Sequence, residues 1–589
     1  MSPAELRQRA ERWLADDPDP VTQAELRALL AQPDPSKTDL QDRFAMDLEF
    51  GTAGLRGVLG AGPNRMNRAV VARATWGLAQ QVLASVPRAA QRGIVVGADA
   101  RRMSRELSED VAAILAGAGL RVVLFPNPVP TPLVGFAVKK LGAAAGVVVT
   151  ASHNPPEYNG YKVYWENAAQ IVPPVDARIA ADIARAPAGN KVLRPELEDV
   201  MHQGMVIEAS MELERQYLEA VRGLEVHPGQ GDRSMRIVYT PLHGVGDALL
   251  RRAMTECGFT AVTSVPEQQK PDGAFPTVAF PNPEEKGAMD LSLALARSLD
   301  AQLVLANDPD ADRLAVAVPV TQDGREGFRQ LTGNEVGALL GHYLLTERPA
   351  KPGDRPRAVI ASLVSSPLLG LIAASLGVKY EETLTGFKWI VNRALELERE
   401  GCAFVFGFEE ALGYCIGDVV RDKDGISAAV VFAELAAVLR ARGSSIPEAL
   451  DDLARRWGVF TSSQVNVVRK GADGAAAIRK MMDLLRASPP KQVGDDAVVA
   501  VRDYEQRTRR VLATGETSRL TLPASNVLAF ELASGSRIIA RPSGTEPKAK
   551  FYFDVREDVR DGEAVAAAKG RAVARMRALE KAFGQYAGE

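Results

Sequence analysis

At 589 residues the chain is too long for a single hydrophobic core, and its length corresponds to about four domains. A hydrophobic content of 46% and a charged content of 25% are ordinary for a globular protein, and a net charge of -3 gives no sign of nucleic acid or anionic membrane as a partner. Three cysteines exclude a disulfide framework and lack zinc spacing, so a cytoplasmic setting is expected.

The polar start, Met1-Ser-Pro-Ala-Glu-Leu-Arg, is not followed by the apolar region of a signal peptide. The uncharged run 358–378 is long enough to span a bilayer. It holds Ser362, Ser365, Ser366, Pro367 and Gly370, and reads as strand, turn and buried helix. No membrane partner is expected.

In chain order, short helices are predicted over 5–14 and 23–31. Then 44–56 reads as a loop presenting Arg56 after two glycines and a threonine. Helix 67–85, a strand from Gly93 into the polar Asp99-Ala-Arg101, helix 108–118, strand 120–125 and helix 133–141 follow. Val147–Val149 is a buried strand that stops at Thr150-Ala-Ser-His-Asn-Pro155, and 158–164 reads as a short hairpin carrying Lys162. This alternation predicts a largely parallel sheet.

A second α/β unit opens near Met205, with helix 212–221 and strands 235–239, 261–265 and 301–306. The last strand runs into Asn307-Asp-Pro-Asp-Ala-Asp-Arg313. The third opens at Leu331, passes Thr383-Leu-Thr-Gly-Phe-Lys-Trp389, and reaches strand 403–406 with Gly407-Phe-Glu-Glu-Ala-Leu-Gly413 behind it. Asp422-Lys-Asp-Gly425 precedes an apolar helix over 426–440. From 459, helix 472–487, five strand candidates and a terminal helix describe a smaller α+β domain. The expected domains are 1–204, 205–322, 323–458 and 459–589.

Ser152 offers a hydroxyl on a loop after a buried strand, where α/β proteins place reactive groups, although Ser-His-Asn-Pro alone is also an ordinary turn. Asp308, Asp310 and Asp312 concentrate negative charge after an apolar strand, for which a hard divalent cation is the natural partner. An EF-hand is excluded, because Arg313 stands where its glycine belongs and Pro319 where its glutamate belongs. A haloacid-type phosphatase fits poorly because of Asp312. A solvated acidic turn is the alternative.

Arg541-Pro-Ser-Gly-Thr-Glu-Pro547 can converge a guanidinium, two hydroxyls and backbone donors on one phosphate, or be an exposed turn. Glu409 and Glu410, between glycines, suit a polyol and equally suit a solvated loop. Lys423 reads as part of a surface charge cluster unless it faces a cleft. His243 reads as a packed loop histidine, and His153 is set apart by its serine neighbour.

Together these stretches resemble the α-D-phosphohexomutase (phosphoglucomutase/phosphomannomutase) superfamily. Four motifs match in the family's order: Thr150–Pro155, Asp308–Arg313, Gly407–Gly413 and Arg541–Glu546. The resemblance implies four domains around a central cleft, three of them related α/β domains with mixed, mostly parallel sheets and the fourth smaller and α+β. It implies that Ser152 is the phosphoserine, and that Asp308, Asp310 and Asp312 hold Mg2+ together with its phosphate. Arg56, His153, Lys162 and Arg313 fall near the phosphoryl group, and Lys423 falls where relatives place a general acid/base. Thr385, Gly386, Lys388 and Glu409 match sugar recognition, while Arg541, Ser543, Gly544 and Thr545 match a distal phosphate clamp.

The implied reaction interconverts a sugar 1-phosphate and its terminal-carbon phosphate, glucose 1-phosphate and 6-phosphate first. Glucose 1,6-bisphosphate would act as activator. Phosphopentomutase, phosphomannomutase and bisphosphate synthase activities are the alternatives, and a metal-dependent sugar phosphatase is the rival class. The partner is a small phosphosugar, and the assembly a monomer or dimer. Ala411 departs from the serine that hexose-specific members often carry there. With the segments 44–56 and 383–389, it points to the branch containing phosphopentomutase and glucose-1,6-bisphosphate synthase.

Overall fold

A computed structural model describes residues 2–32, 39–49, 54–322, 325–469, 474–542 and 548–587. Four sheets carry the architecture. The first contains β1 (Leu55–Val58), β2 (Ile94–Ala98), β3 (Val122–Leu124), β4 (Ala145–Val149), β5 (Tyr158–Tyr164) and β6 (Val206–Glu208), in the order β1-β5-β4-β2-β3-β6. Every residue of β2 and β4 is buried, as continuous apolar runs require when helices cover both faces. Helices Arg68–Ser85 and Ser104–Gly117 pack on one face of this sheet and Thr131–Leu141 on the other.

Three expectations change here. The segment 158–164 is one strand and not a hairpin, because β4 and β1 pair with its two edges. Arg56 lies within β1 and not on a free loop; the glycine–threonine stretch at 50–53 lies outside the described residues. Strand β6 joins β3, so the first sheet extends past residue 204.

The second sheet contains β7 (Ile237–Thr240), β8 (Val262–Ser264), β9 (Leu303–Ala306), β10 (Ala315–Gln322) and β11 (Arg325–Gln330), ordered β11-β10-β9-β7-β8. It therefore runs past residue 322. The third contains β12 (Arg357–Ser362), β13 (Lys379–Thr383), β14 (Ala403–Glu409) and β15 (Gly413–Ile416), ordered β13-β12-β14-β15.

One relation recurs in all three sheets. Strands β4, β9 and β14 each have a parallel neighbour on one side (β2, β7, β12) and an antiparallel one on the other (β5, β10, β15). Ser152, the aspartate triplet and Glu409 therefore stand at the same topological point of three similar units.

The fourth sheet contains β16 (Val459–Val468), β17 (Gln492–Val493), β18 (Asp496–Asp503), β19 (Thr508–Val511), β20 (Thr517–Arg519), β21 (Leu528–Leu532), β22 (Arg537–Pro542) and β23 (Lys548–Glu557), all pairing antiparallel. Its terminal helix, Val565–Ala587, sets Phe583 against Phe530, Phe551 and Phe553. A continuous apolar core joins the second and third units to helix Thr131–Leu141 of the first. A smaller cluster fixes Leu363, Val364 and Leu384 to Tyr504, Val527, Ile539 and Tyr552 of the fourth unit. The stretch 358–378 is strand, turn and helix as expected, and no helix among the described residues is long and apolar enough to cross a membrane.

Candidate active site

The serine loop begins where β4 ends. Ser152 is 1% exposed and has φ 53°, a left-handed conformation that a non-glycine side chain adopts at a cost of about 1–2 kcal/mol. A polar scaffold offsets that cost. Ser152 N donates to Thr150 Oγ1 at 2.9 Å, and Thr150 donates to Asp99 Oδ2 at 2.6 Å. The Arg101 guanidinium donates to the carbonyls of Ser152 (2.7 Å), Asn154, Pro155 (2.8 Å) and Tyr158 (3.2 Å). It lies 4.9 Å from the ring centroid of Phe275 in the second unit. Asp99 and Arg101 were not among the predicted site residues. Their signal was the polar end of β2, which parallel pairing of Ala98 with Val149 brings beside the serine loop.

Across this loop stands the aspartate triplet. The Ser152 hydroxyl donates to Asp308 Oδ2 at 2.7 Å and lies 3.2 Å from His153 Nδ1. Asp308, Asp310 and Asp312 are wholly buried, and each offers an oxygen within 4.8 Å of the others. Thr131 donates to Asp310 Oδ2 at 2.7 Å. Lys162 Nζ reaches Asp310 at 2.7 Å and Asp312 at 2.9 Å, and Lys423 Nζ reaches Asp312 at 3.0 Å. The backbone N–H of Arg313 donates to Asp308 Oδ1 at 3.1 Å, and its guanidinium lies 3.8 Å from Asp308 and 3.9 Å from Asp312.

Asp310 Oδ1 and Asp312 Oδ1 are buried without a hydrogen-bond partner among the described residues. An unsatisfied buried carboxylate oxygen is costly. Two of them converging with a third aspartate form a hard, all-oxygen donor set of the kind that suits Mg2+.

The charges respond to this crowding. Burial and the charges of Asp310 and Asp312 push Asp308 up to about 8. Burial alone would raise Asp312 too, but Lys162, Lys423 and Arg313 hold it below the usual carboxylate range. Lys162 and Lys423 are pushed down by burial, and the neighbouring aspartates more than reverse this. Burial, Arg313 and Arg56 hold His153 well below the usual imidazole range, which keeps it neutral.

Close backbone approach shapes the metal loop. A Cβ on Gly244 would fall 2.3 Å from the Pro309 backbone, and Ala311 adopts φ 57°.

Lys423 is 8% exposed and faces the triplet, so it belongs to the cleft and not to a surface cluster. Its neighbours are gripped from two other units. Tyr164 and Gln170 of the first donate to Asp422 Oδ2, both at 2.6 Å. Tyr217 of the second donates to Asp424 at 2.9 and 3.0 Å, while Asp424 also caps helix Gly425–Ala441. Nothing in the local sequence reveals these tyrosines. His243 is packed as expected, 2% exposed with Nε2 at 2.8 Å from Thr277 Oγ1.

The sugar loop is tied to the metal loop. Arg313 Nη1 donates to the Ala411 carbonyl at 2.9 Å, Leu314 N donates to Leu412 O at 3.1 Å, and Leu412 has φ 61°. Glu409, the last residue of β14, accepts from Gly386 N at 2.8 Å, and Thr385 Oγ1 is buried without a partner among the described residues. Glu410 accepts from Ser362 at 3.2 Å and Ser365 at 3.1 Å.

Lys388 is 7% exposed and pushed down by burial against the charge of Asp176. Among the described residues it has no hydrogen bond or ion pair with the other site groups. Arg56 donates to Asn154 Oδ1 at 2.9 Å. Arg541 lies on β22 opposite Lys550 of β23, a second cation that sequence reasoning missed. Ser543, Gly544 and Thr545 lie outside the described residues.

Known proteins resemble this chain over most of its length. Models described as "Phosphoglucomutase/phosphomannomutase, alpha/beta/alpha domain" I, II and III match residues 47–189, 215–321 and 332–457. A protein of Haemophilus influenzae named "Probable phosphomannomutase" is 40% identical over 85% of this chain and 96% of its own length. A Homo sapiens protein named phosphopentomutase is 37% identical over 94% of this chain and 92% of its own. The crystal structure of a phosphoglucomutase/phosphomannomutase family protein from Burkholderia thailandensis shares the fold, with a TM-score of 0.63 at 20% identity over 91% of this chain and 98% of that one.

Proposed function

The chain belongs to the α-D-phosphohexomutase (phosphoglucomutase/phosphomannomutase) superfamily of sugar-phosphate isomerases, and from that premise we propose that it moves a phosphoryl group between C1 and the terminal carbon of a phosphosugar by way of Ser152. The observation that carries this reading is the buried triplet with its two partnerless oxygens, set 2.7 Å from the Ser152 hydroxyl. Asp308, Asp310 and Asp312 would hold Mg2+ with the serine phosphate. Bound there, the ion supplies positive charge against the transferring phosphoryl oxygens.

The chain's own residues do the rest. Phosphoserine carries about -1.5 to -2 charge, so Arg56, Arg313 and Lys162 are needed to balance it beside three carboxylates. In the transfer, the Ser152 Oγ–P bond breaks and a P–O bond forms to the substrate hydroxyl. The hydroxyl proton passes to His153, which is held neutral, or to Lys423 once that side chain has given up the proton it holds beside Asp312. The bisphosphorylated sugar turns end for end and returns its original phosphoryl group to Ser152. Glu409, fixed by Gly386, accepts sugar hydroxyls, while Arg541 with Ser543, Gly544 and Thr545 holds the far phosphate. A mutase needs water kept from the phosphoserine where a phosphatase does not, and Ser152 itself is 1% exposed.

A pentose phosphate is the substrate best supported, since Ala411 removes a side-chain hydroxyl from the sugar loop and a phosphopentomutase relative spans nearly the whole chain. Glucose 1-phosphate and 6-phosphate form the second reading, favoured by the anchored Glu409 and the intact Thr385-Gly386. The test is an isomerisation assay over ribose, deoxyribose, glucose, mannose and glucosamine phosphates with catalytic bisphosphate, beside mass spectrometry of Ser152. Release of inorganic phosphate outpacing isomer formation, or wild-type turnover by Ser152→Ala, would overturn it.

A further inference from the structure

The second unit sends one carboxylate into the cleft that the scheme above leaves unused. Glu284 lies in the loop Pro281-Asn-Pro-Glu-Glu285, which precedes helix Asp290–Ser298. This loop is held firmly. Glu284 N donates to Asn282 Oδ1 at 3.1 Å, Glu285 N donates to Asn282 O at 2.9 Å, and Gln330 of β11 donates to the Pro283 carbonyl at 2.8 Å. Two prolines further restrict it, so the side chain is presented by a fixed backbone.

The carboxylate itself is left available. Its side chain is 39% exposed and its closest cation is Arg313 Nη1 at 4.0 Å; the Asn282 side chain, two residues earlier in the same loop, also bears on it. That separation and exposure make a weak ion pair, too weak to explain the group as a tether for Arg313. The same Nη1 donates to the Ala411 carbonyl at 2.9 Å. One guanidinium nitrogen therefore reaches both Glu284 and the position where hexose-specific relatives often carry a serine hydroxyl.

Groups of the third and fourth units bear on Glu284. Burial raises it, while Arg313 of the metal loop and Lys550 of the fourth unit lower it. Glu410 of the sugar loop and Lys550 each feel its charge in turn.

Resting on the mutase reading, we propose that Glu284 is a specificity-determining residue that accepts a hydrogen bond from a ring hydroxyl of the phosphosugar, in the place of the missing side-chain hydroxyl at position 411. A carboxylate accepts such a bond strongly, and a site built to pair a hydroxyl discriminates against a sugar that lacks or misplaces it.

The experiment compares wild type, Glu284→Ala and Glu284→Gln on glucose 1-phosphate, ribose 1-phosphate and 2-deoxyribose 1-phosphate, with Mg2+ and catalytic bisphosphate. Glu284→Ala is expected to lower kcat/KM by about 10–100-fold for the sugar whose hydroxyl it reads, mainly through KM. The ratio between sugars should shift by about 10-fold or more. Glu284→Gln keeps an acceptor oxygen and should retain part of the selectivity. Adding Ala411→Ser to Glu284→Ala should restore some of it. Unchanged kinetics would overturn the proposal. So would an equal loss for all three sugars confined to kcat, which would mean that Glu284 acts only on Arg313. A wild type that isomerises none of these sugars would instead refute the mutase reading, and this inference with it.

Discussion

Replacing Lys162 by methionine tests whether the aspartate triplet is built for a cation. Lys162 is 2% exposed, and its ammonium pairs with Asp310 at 2.7 Å and Asp312 at 2.9 Å. Methionine keeps most of the side-chain volume but removes the charge, leaving two buried carboxylates answered by Lys423, Arg313 and Thr131 alone. Removing one partner of a buried ion pair costs about 3–5 kcal/mol. For a unit of this size that corresponds to a fall of roughly 6–20 °C in the midpoint of the affected transition.

The assay is thermal unfolding of wild type and Lys162→Met in EDTA and in excess Mg2+. A cation that binds only the folded triplet stabilises by mass action, by about 2.7 kcal/mol at 100 times its Kd. The variant should therefore gain more from Mg2+ than the wild type does, recovering much of its loss. A variant within about 1 °C of wild type in EDTA, at odds with the expected cost, would refute the electrostatic argument. Equal indifference of both proteins to Mg2+ would refute the metal assignment.

Three further outcomes follow from the same geometry. Tyr164→Phe and Tyr217→Phe each free one carboxylate beside Lys423, and each should lower kcat about 10-fold with little change in KM, as loss of a charge-assisted bond worth about 1.5–3 kcal/mol allows; a loss confined to KM would contradict a role in positioning Lys423. Burial and the charge of Glu409 push Glu410 from its ordinary 4.5 up to about 7, so the folded state holds a proton that the unfolded chain has released. Its stabilising contribution is complete below pH 4.5 and is lost as pH rises through 7, by up to about 3 kcal/mol at about 1.4 kcal/mol per pH unit; Glu410→Gln should flatten urea-unfolding stability across that window, and an unchanged slope would count against it. Gly244→Ala sets a Cβ 2.3 Å from the Pro309 backbone, which must move the metal loop; about 1–3 kcal/mol of stability and a measurable part of the Mg2+ affinity by calorimetry should be lost.

Much of the site was legible in the chain because its residues cluster at the ends of apolar runs. The triplet follows the buried β9, Ser152 follows β4, and Glu409 closes β14, so strand periodicity alone located all three. Less was legible where a strand is polar. β16 reads Val-Phe-Thr-Ser-Ser-Gln and is largely half-buried, so its pattern gives little signal, although it pairs with β23 along its whole length. The segment 158–164 looked like a hairpin because Asn159-Gly160 imitates a turn; pairing on both edges keeps it extended.

The sequence by itself set out the candidate groups: a hydroxyl after one buried strand, three carboxylates after another and a lysine on the segment that follows the serine. It also determined the α/β alternation, since that depends on periodicity within short windows. Only the tertiary structure decided which of these groups are partners. Lys162 meets Asp310 across 148 residues of chain and Tyr217 meets Asp424 across 207, distances at which no local pattern carries information. Arg101 became the scaffold of the serine loop because parallel pairing aligns the ends of β2 and β4. Burial then raised or lowered each charge according to the neighbours that packing supplied, which turned Lys423 from one more charge in an acidic stretch into a cation facing the triplet.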